Sequence, residues 1–138
     1  MPDQPGFLAT VRAAPKDRSR ASRLTSAQGV FYAAVGVALT LAPSNLLALV
    51  NGMPADEQGM VRMSGVLIVI IGWFYFMGGR TGAPSFALAT VVDRLAIPFA
   101  LGGLVLFADV SLQLVAPIIV LDPILAAMVW WAWRTERA

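Results

Sequence analysis

Apolar residues in this chain come in long unbroken runs. The first goes from about Leu24 to Ala42 and is stopped by Pro43. The stretch Asn45 to Val50 is apolar but short, and the Asn51-Gly52 turn ends it. It reads as a half-buried turn of helix lying along a membrane interface. The second run, 58–79, would rise roughly 33 Å as a helix, enough to cross a hydrocarbon core of about 30 Å. Gly78 and Gly79 close it. The third run, 85–107, follows the turn residues Thr81, Gly82, Ala83 and Pro84, and the fourth covers 112–134. Runs this long without alternation do not suit barrel walls. The pattern predicts an all-α polytopic membrane protein built as a four-transmembrane-helix bundle. A flexible basic tail (1–23) precedes the membrane domain (24–134), and a short tail (135–138) follows it.

Composition agrees with that pattern. The chain is 58% hydrophobic and 13% charged, with a mean hydropathy of +0.73. A soluble globule of this size would need polar residues over most of its surface. There is no Cys, so disulfides, thiolate catalysis and cysteine-held metals are excluded. There is no His, which removes the commonest metal ligand and the commonest general base. No cofactor or metal is implied, and the chain is not read as an enzyme.

The basic residues set an orientation. Arg12, Lys16, Arg18, Arg20 and Arg23 precede the first run, Arg80 lies between the second and third, and Arg134 and Arg137 follow the fourth. The other two loops hold only acids: Asp56 and Glu57, then Asp109. The positive-inside rule then places both termini in the cytoplasm. The tail lacks the early apolar stretch of a signal peptide, and it reads as an orientation signal resting on anionic lipid. No basic fold accompanies it, so nucleic acid is not a partner.

Ionisable residues inside the runs are the candidate chemistry, because charges in hydrocarbon are expensive and usually face a bundle interior. They are Arg62, Asp93, Arg94 and Asp122. Small residues mark packing faces. Gly29, Ala33, Gly36 and Thr40 line one face of the first run, and Gly65, Gly72 and Gly79 recur every seven residues on the face carrying Arg62. Ala89, Asp93, Ala96, Ala100 and Gly103 form a stripe on the third. Arg62 and Asp93 are therefore predicted to point into the bundle. The first three membrane helices are predicted to pack closely, with the fourth leaning on them. Asp93 and Arg94 point about 100° apart on a helix and must reach different partners. The predicted pairing is Arg94 with Asp122 at mid-depth, leaving Asp93 or the outer interface for Arg62.

Pro98 and Pro123 each remove a helical hydrogen bond, freeing the carbonyls of Arg94 and Ile119 beside these charges. They bend the helices, and they also offer acceptors to a guanidinium, a water or a ligand. Trp73, Phe74, Tyr75 and Phe76 end the second run, and Trp130, Trp131 and Trp133 end the fourth. These clusters read as an aromatic belt at the cytoplasmic interface, or as an aromatic-lined entry for an apolar ligand.

Several short motifs carry a family likeness: Val61-Arg62-Met63-Ser64-Gly65-Val66, Gly72-Trp73-Phe74-Tyr75, Gly78-Gly79-Arg80-Thr81, Val92-Asp93-Arg94 and Asp122-Pro123. From Val61 to Arg134, and more loosely from Val30, the chain resembles the small four-helix bacterial membrane proteins of the BphX-like family, within the wider DoxX-like group. The resemblance implies a protein of the bacterial inner membrane with no assigned biochemical activity. Members stand beside genes for the breakdown of aromatic compounds such as biphenyl, which implies an accessory role there. It supplies no catalytic residues.

Two functional readings stay open. One is a non-enzymatic accessory protein, a scaffold for a membrane partner or a small homo-oligomer, with the charges as packing devices. The other is transport or binding of a hydrophobic or weakly acidic compound, with an arginine taking its carboxylate.

Overall fold

The computed structural model describes residues 13, 15, 17–51, 58–108 and 112–137. Five helices follow one another: α1 (Arg20–Leu41), α2 (Ser44–Asn51), α3 (Gln58–Arg80), α4 (Pro84–Phe107) and α5 (Leu112–Thr135). All but α2 are long and apolar enough to cross a membrane. The boundaries match the apolar runs to within a few residues, but α1 begins at Arg20, inside the stretch 1–23 expected to be flexible tail, because Ser19 caps a first turn there. The Asp56, Glu57 and Asp109 loops and most of the basic tail lie outside the described residues.

Local chemistry explains the boundaries. Ser19 caps α1 by accepting the Ser22 backbone N–H at 3.0 Å. Pro43 cannot continue α1, and its carbonyl instead accepts the Leu46 and Leu47 N–H groups that open α2. Between α3 and α4, Thr81 Oγ1 donates to the Gly78 carbonyl at 2.6 Å. Gly82 takes φ +73°, which glycine adopts without steric cost, and Pro84 starts α4.

The spans form two antiparallel pairs rather than the predicted close-packed three with a fourth leaning on them. α1 packs chiefly on α3, and α4 chiefly on α5. α1 also touches both helices of the second pair, while α3 meets α4 only lightly. The α1–α3 pair is a seam of small residues. Ser22, Gly29 and Gly36 recur every seven residues and face Gly79, Gly72 and Gly65 in reverse order. The backbones come so close that a Cβ on Gly72 would sit 2.5 Å from the Ala33 nitrogen, and one on Gly36 2.6 Å from the Val69 nitrogen. Ser26 Oγ crosses the seam to the Phe76 carbonyl at 3.3 Å. In lipid, where no hydrophobic effect drives helices together, such close packing supplies the attraction. The second pair is joined to α1 by an apolar cluster of Ala21, Ala87, Val91, Ala126, Val129 and Ala132. At the opposite end, Leu47 of α2 packs on Val61.

Burial is inverted relative to a water-soluble protein. Arg94 heads the side chains with under 2% exposure, while Phe99 and Phe107 are 83% and 90% exposed. Phenylalanines in that position suit hydrocarbon, not water.

Candidate functional site

Arg94 lies on the inward face of α4 with Ala87, Thr90 and Val91, one helical stripe. Its guanidinium sits over the ring of Tyr75 (4.5 Å to the centroid) and against that of Tyr32 (5.4 Å). The rings meet edge to face at 5.6 Å. These are the chain's two tyrosines, and they hold equivalent positions on the seam helices. Tyr32 follows Gly29 by three residues and precedes Gly36 by four; Tyr75 stands the same way between Gly72 and Gly79. The seam thus sets both rings along one edge of the α1–α3 pair, where the second pair docks. A cation between two π-faces is stabilised electrostatically, and more so away from water.

Polar bonds extend outward from this centre. Arg94 Nη1 donates to Gln28 Oε1, and Gln28 Nε2 donates to the Leu125 carbonyl at 3.1 Å. Tyr32 O–H donates to Asp122, and Tyr75 O–H to Asp93. Each tyrosine therefore meets the arginine with its ring and a carboxylate with its hydroxyl. Nε and Nη2 of Arg94 have no hydrogen-bond partner among the described residues.

The sequence-predicted residues divide. Arg94 and Asp122 are both buried and share this centre, but they form no direct ion pair among the described residues; Tyr32 links to both. Asp93 does not point into the bundle. Its stripe (Ala89, Ala96, Ala100) is exposed, and so is Asp93. The cause is the roughly 100° step between helical neighbours: turning Arg94 inward turns Asp93 out.

Arg62 belongs to neither Asp93 nor this centre. Its Nη1 donates to the Thr40 carbonyl at 2.8 Å and its Nη2 to the Ala42 carbonyl at 2.9 Å. Pro43 leaves these terminal acceptors of α1 unused, and a cation there also suits the negative end of the helix dipole. α4 runs unbroken through Pro98, and α5 through Pro117 and Pro123.

The aromatic group also divides. Trp73, Trp130 and Trp131 are exposed, as a belt requires, while Trp133 is partly buried on the apolar cluster with Arg137 over its ring at 4.3 Å. Tyr75 leaves the belt altogether: it is 6% exposed and carries the polar centre. Gln28 and Tyr32 were absent from the sequence-derived site. Gln28 was visible as the lone amide within 24–42, and Tyr32 by its place between Gly29 and Gly36.

The centre thus offers one cation, one buried carboxyl group and two phenols, with Asp93 at its exposed edge. No group of three or more acidic side chains suited to a metal ion occurs among the described residues. No family model matches the chain, and no curated protein or solved structure matches it.

Proposed function

We propose that this chain is a non-enzymatic accessory protein of the bacterial inner membrane, of the BphX-like kind and associated with aromatic-compound breakdown. In this reading both termini lie in the cytoplasm, and the polar centre locks the fold so that its outer faces serve a membrane partner. One observation carries the structural role of the centre. Its interhelical hydrogen bonds, Arg94–Gln28, Gln28–Leu125, Tyr32–Asp122 and Tyr75–Asp93, each run between the α1–α3 pair and the α4–α5 pair. A ligand site would concentrate its polar groups on a bound molecule; here they are used to join helices. Lack of His and Cys also weighs against catalysis.

A second reading, binding of a weakly acidic compound, is favoured by the two Arg94 nitrogens, Nε and Nη2, that have no acceptor among the described residues. One experiment separates the two. Arg94→Gln and Asp122→Asn are made singly, with Arg62→Gln as a comparison outside the centre. Thermal stability in detergent is then measured beside binding of benzoate. The accessory reading expects the Arg94 and Asp122 variants to melt at clearly lower temperature, with no benzoate binding by the parent chain. A folded Arg94→Gln protein that has lost benzoate binding would establish the ligand site instead.

A further inference from the structure

The outward face of α4 is badly suited to lipid. Ala89, Ala96 and Gly103 recur every seven residues, with Asp93 and Ala100 between them at the same interval. Ala89, Asp93, Ala96 and Ala100 are exposed, and a Cβ built on Gly103 would meet nothing within 4 Å. Asp93 sits roughly 14 Å along a helix roughly 36 Å long, well inside the hydrocarbon. One carboxylate oxygen accepts from Tyr75; the other has no partner among the described residues. A carboxyl group at that depth on a lipid-facing surface is costly and calls for a donor.

We propose that this face docks a transmembrane helix from a different protein, one carrying a single Lys or Arg at the depth of Asp93 and small residues beside it. The proposal rests on the accessory reading and specifies the partner's chemistry. Charge complementarity selects a different protein over a second copy. Neither arginine within these runs serves the outward face: Arg62 binds the carbonyls ending α1, and Arg94 is turned inward to Gln28 between two tyrosine rings. A twofold contact through this face would bring Asp93 against Asp93, which is repulsive. The steric half of the proposal has a precedent within the molecule. Small residues at intervals of seven allow α1 and α3 to approach backbone to backbone, and the α4 stripe repeats that interval with no occupant among the described residues.

The test uses the full chain in lipid nanodiscs, labelled through Ser85→Cys at the exposed start of α4. The probe is a fluorescent Leu/Ala transmembrane peptide with one central Lys, and its control has Leu in that place. Energy transfer should report association about tenfold stronger for the Lys peptide, the size expected of one interhelical polar contact. That preference should vanish in Asp93→Asn, whose amide oxygen can still accept from Tyr75 and which should still unfold in one cooperative transition. Ala96→Leu keeps the carboxyl group but blocks close approach, and it should weaken association as well. Equal association of both peptides, or association of neither, overturns the proposal. So does energy transfer between two copies of the chain that Ala96→Leu abolishes, since a second copy would then own the face. Crosslinking in native membranes keeps the accessory reading separate. A stoichiometric partner there, with no preference for the Lys peptide, sinks only the α4 face; a chain without any partner sinks both.

Discussion

At the scale of single residues, the central fact is that Arg94 is held by two rings and one amide rather than by a facing carboxylate. Tyr32 should then matter through its hydroxyl. Tyr32→Phe keeps the ring over the guanidinium and removes the donor to Asp122, and it should cost about 1 kcal/mol, the usual size of an interhelical hydrogen bond in a membrane. Combined with Asp122→Asn in a double-mutant cycle, most of that loss should be shared, as read from unfolding in mixed micelles; strict additivity would show that the contact contributes nothing. Arg94→Gln should cost more, about 3 kcal/mol, because Asp122 is left buried without its nearby cation. The acids and arginines of this region were legible in the sequence as charges out of place; their partners were not. Trp73, Phe74 and Phe76 surround Tyr75 in sequence and make it look like part of a belt. Yet helical neighbours point apart, and the spacing of Tyr75 from Gly72 and Gly79 is what places it inside. Asp93 was misplaced for a related reason: a small-residue stripe marks a face fit for packing without saying whether this chain supplies the other half.

At the scale of helices, glycine has opposite meanings on different faces. Gly72→Ala would press a methyl group into the α1 backbone and should cost about 2 kcal/mol, since neither helix can move aside without opening the whole seam. Gly102→Ala meets nothing and should stabilise α4 by up to about 1 kcal/mol through helix propensity. Unfolding in mixed micelles checks both, and equal effects at the two positions would mean that the seam is looser than its distances imply. Arg62 acts at this scale too. Arg62→Gln withdraws the guanidinium from the Thr40 and Ala42 carbonyls and should fray the end of α1 at a cost of about 1 kcal/mol. Faster amide exchange confined to the last turn of α1 would identify it; no change there would show that Pro43 alone fixes this end. The helices themselves were legible to within a few residues, because apolar run length and terminal Pro and Gly act locally. The seam was legible because seven-residue spacing keeps Gly29, Gly36, Gly65 and Gly72 in line. Which pairs form depends on how the helix faces compete, and that is not a local property.

At the scale of the whole molecule, two different adhesives hold the bundle. Backbone proximity joins α1 to α3, whereas the polar centre and a modest cluster of Ala and Val join that unit to α4 and α5. In lipid the second junction cannot draw on the hydrophobic effect, so its hydrogen bonds should carry a disproportionate share of its strength. Breaking the chain between Thr81 and Gly82 isolates that junction, because the cut falls in the turn linking the two pairs. Co-expressed halves should insert separately, find each other in the membrane and copurify through a tag on one half. With Arg94→Gln and Tyr32→Phe together, the junction loses its bonds from Arg94 to Gln28 and from Tyr32 to Asp122, and the halves should come apart while each remains in the membrane. Gly102→Ala, whose added methyl meets nothing within 4 Å, should leave copurification unchanged. If the doubly substituted halves stay together, the packing of Ala21, Ala87, Ala126 and Val129, with the remaining Gln28–Leu125 and Tyr75–Asp93 bonds, is sufficient. The buried arginine would then be free of any obligation to the fold, and its acceptorless N–H groups would become the stronger guide to what the protein does.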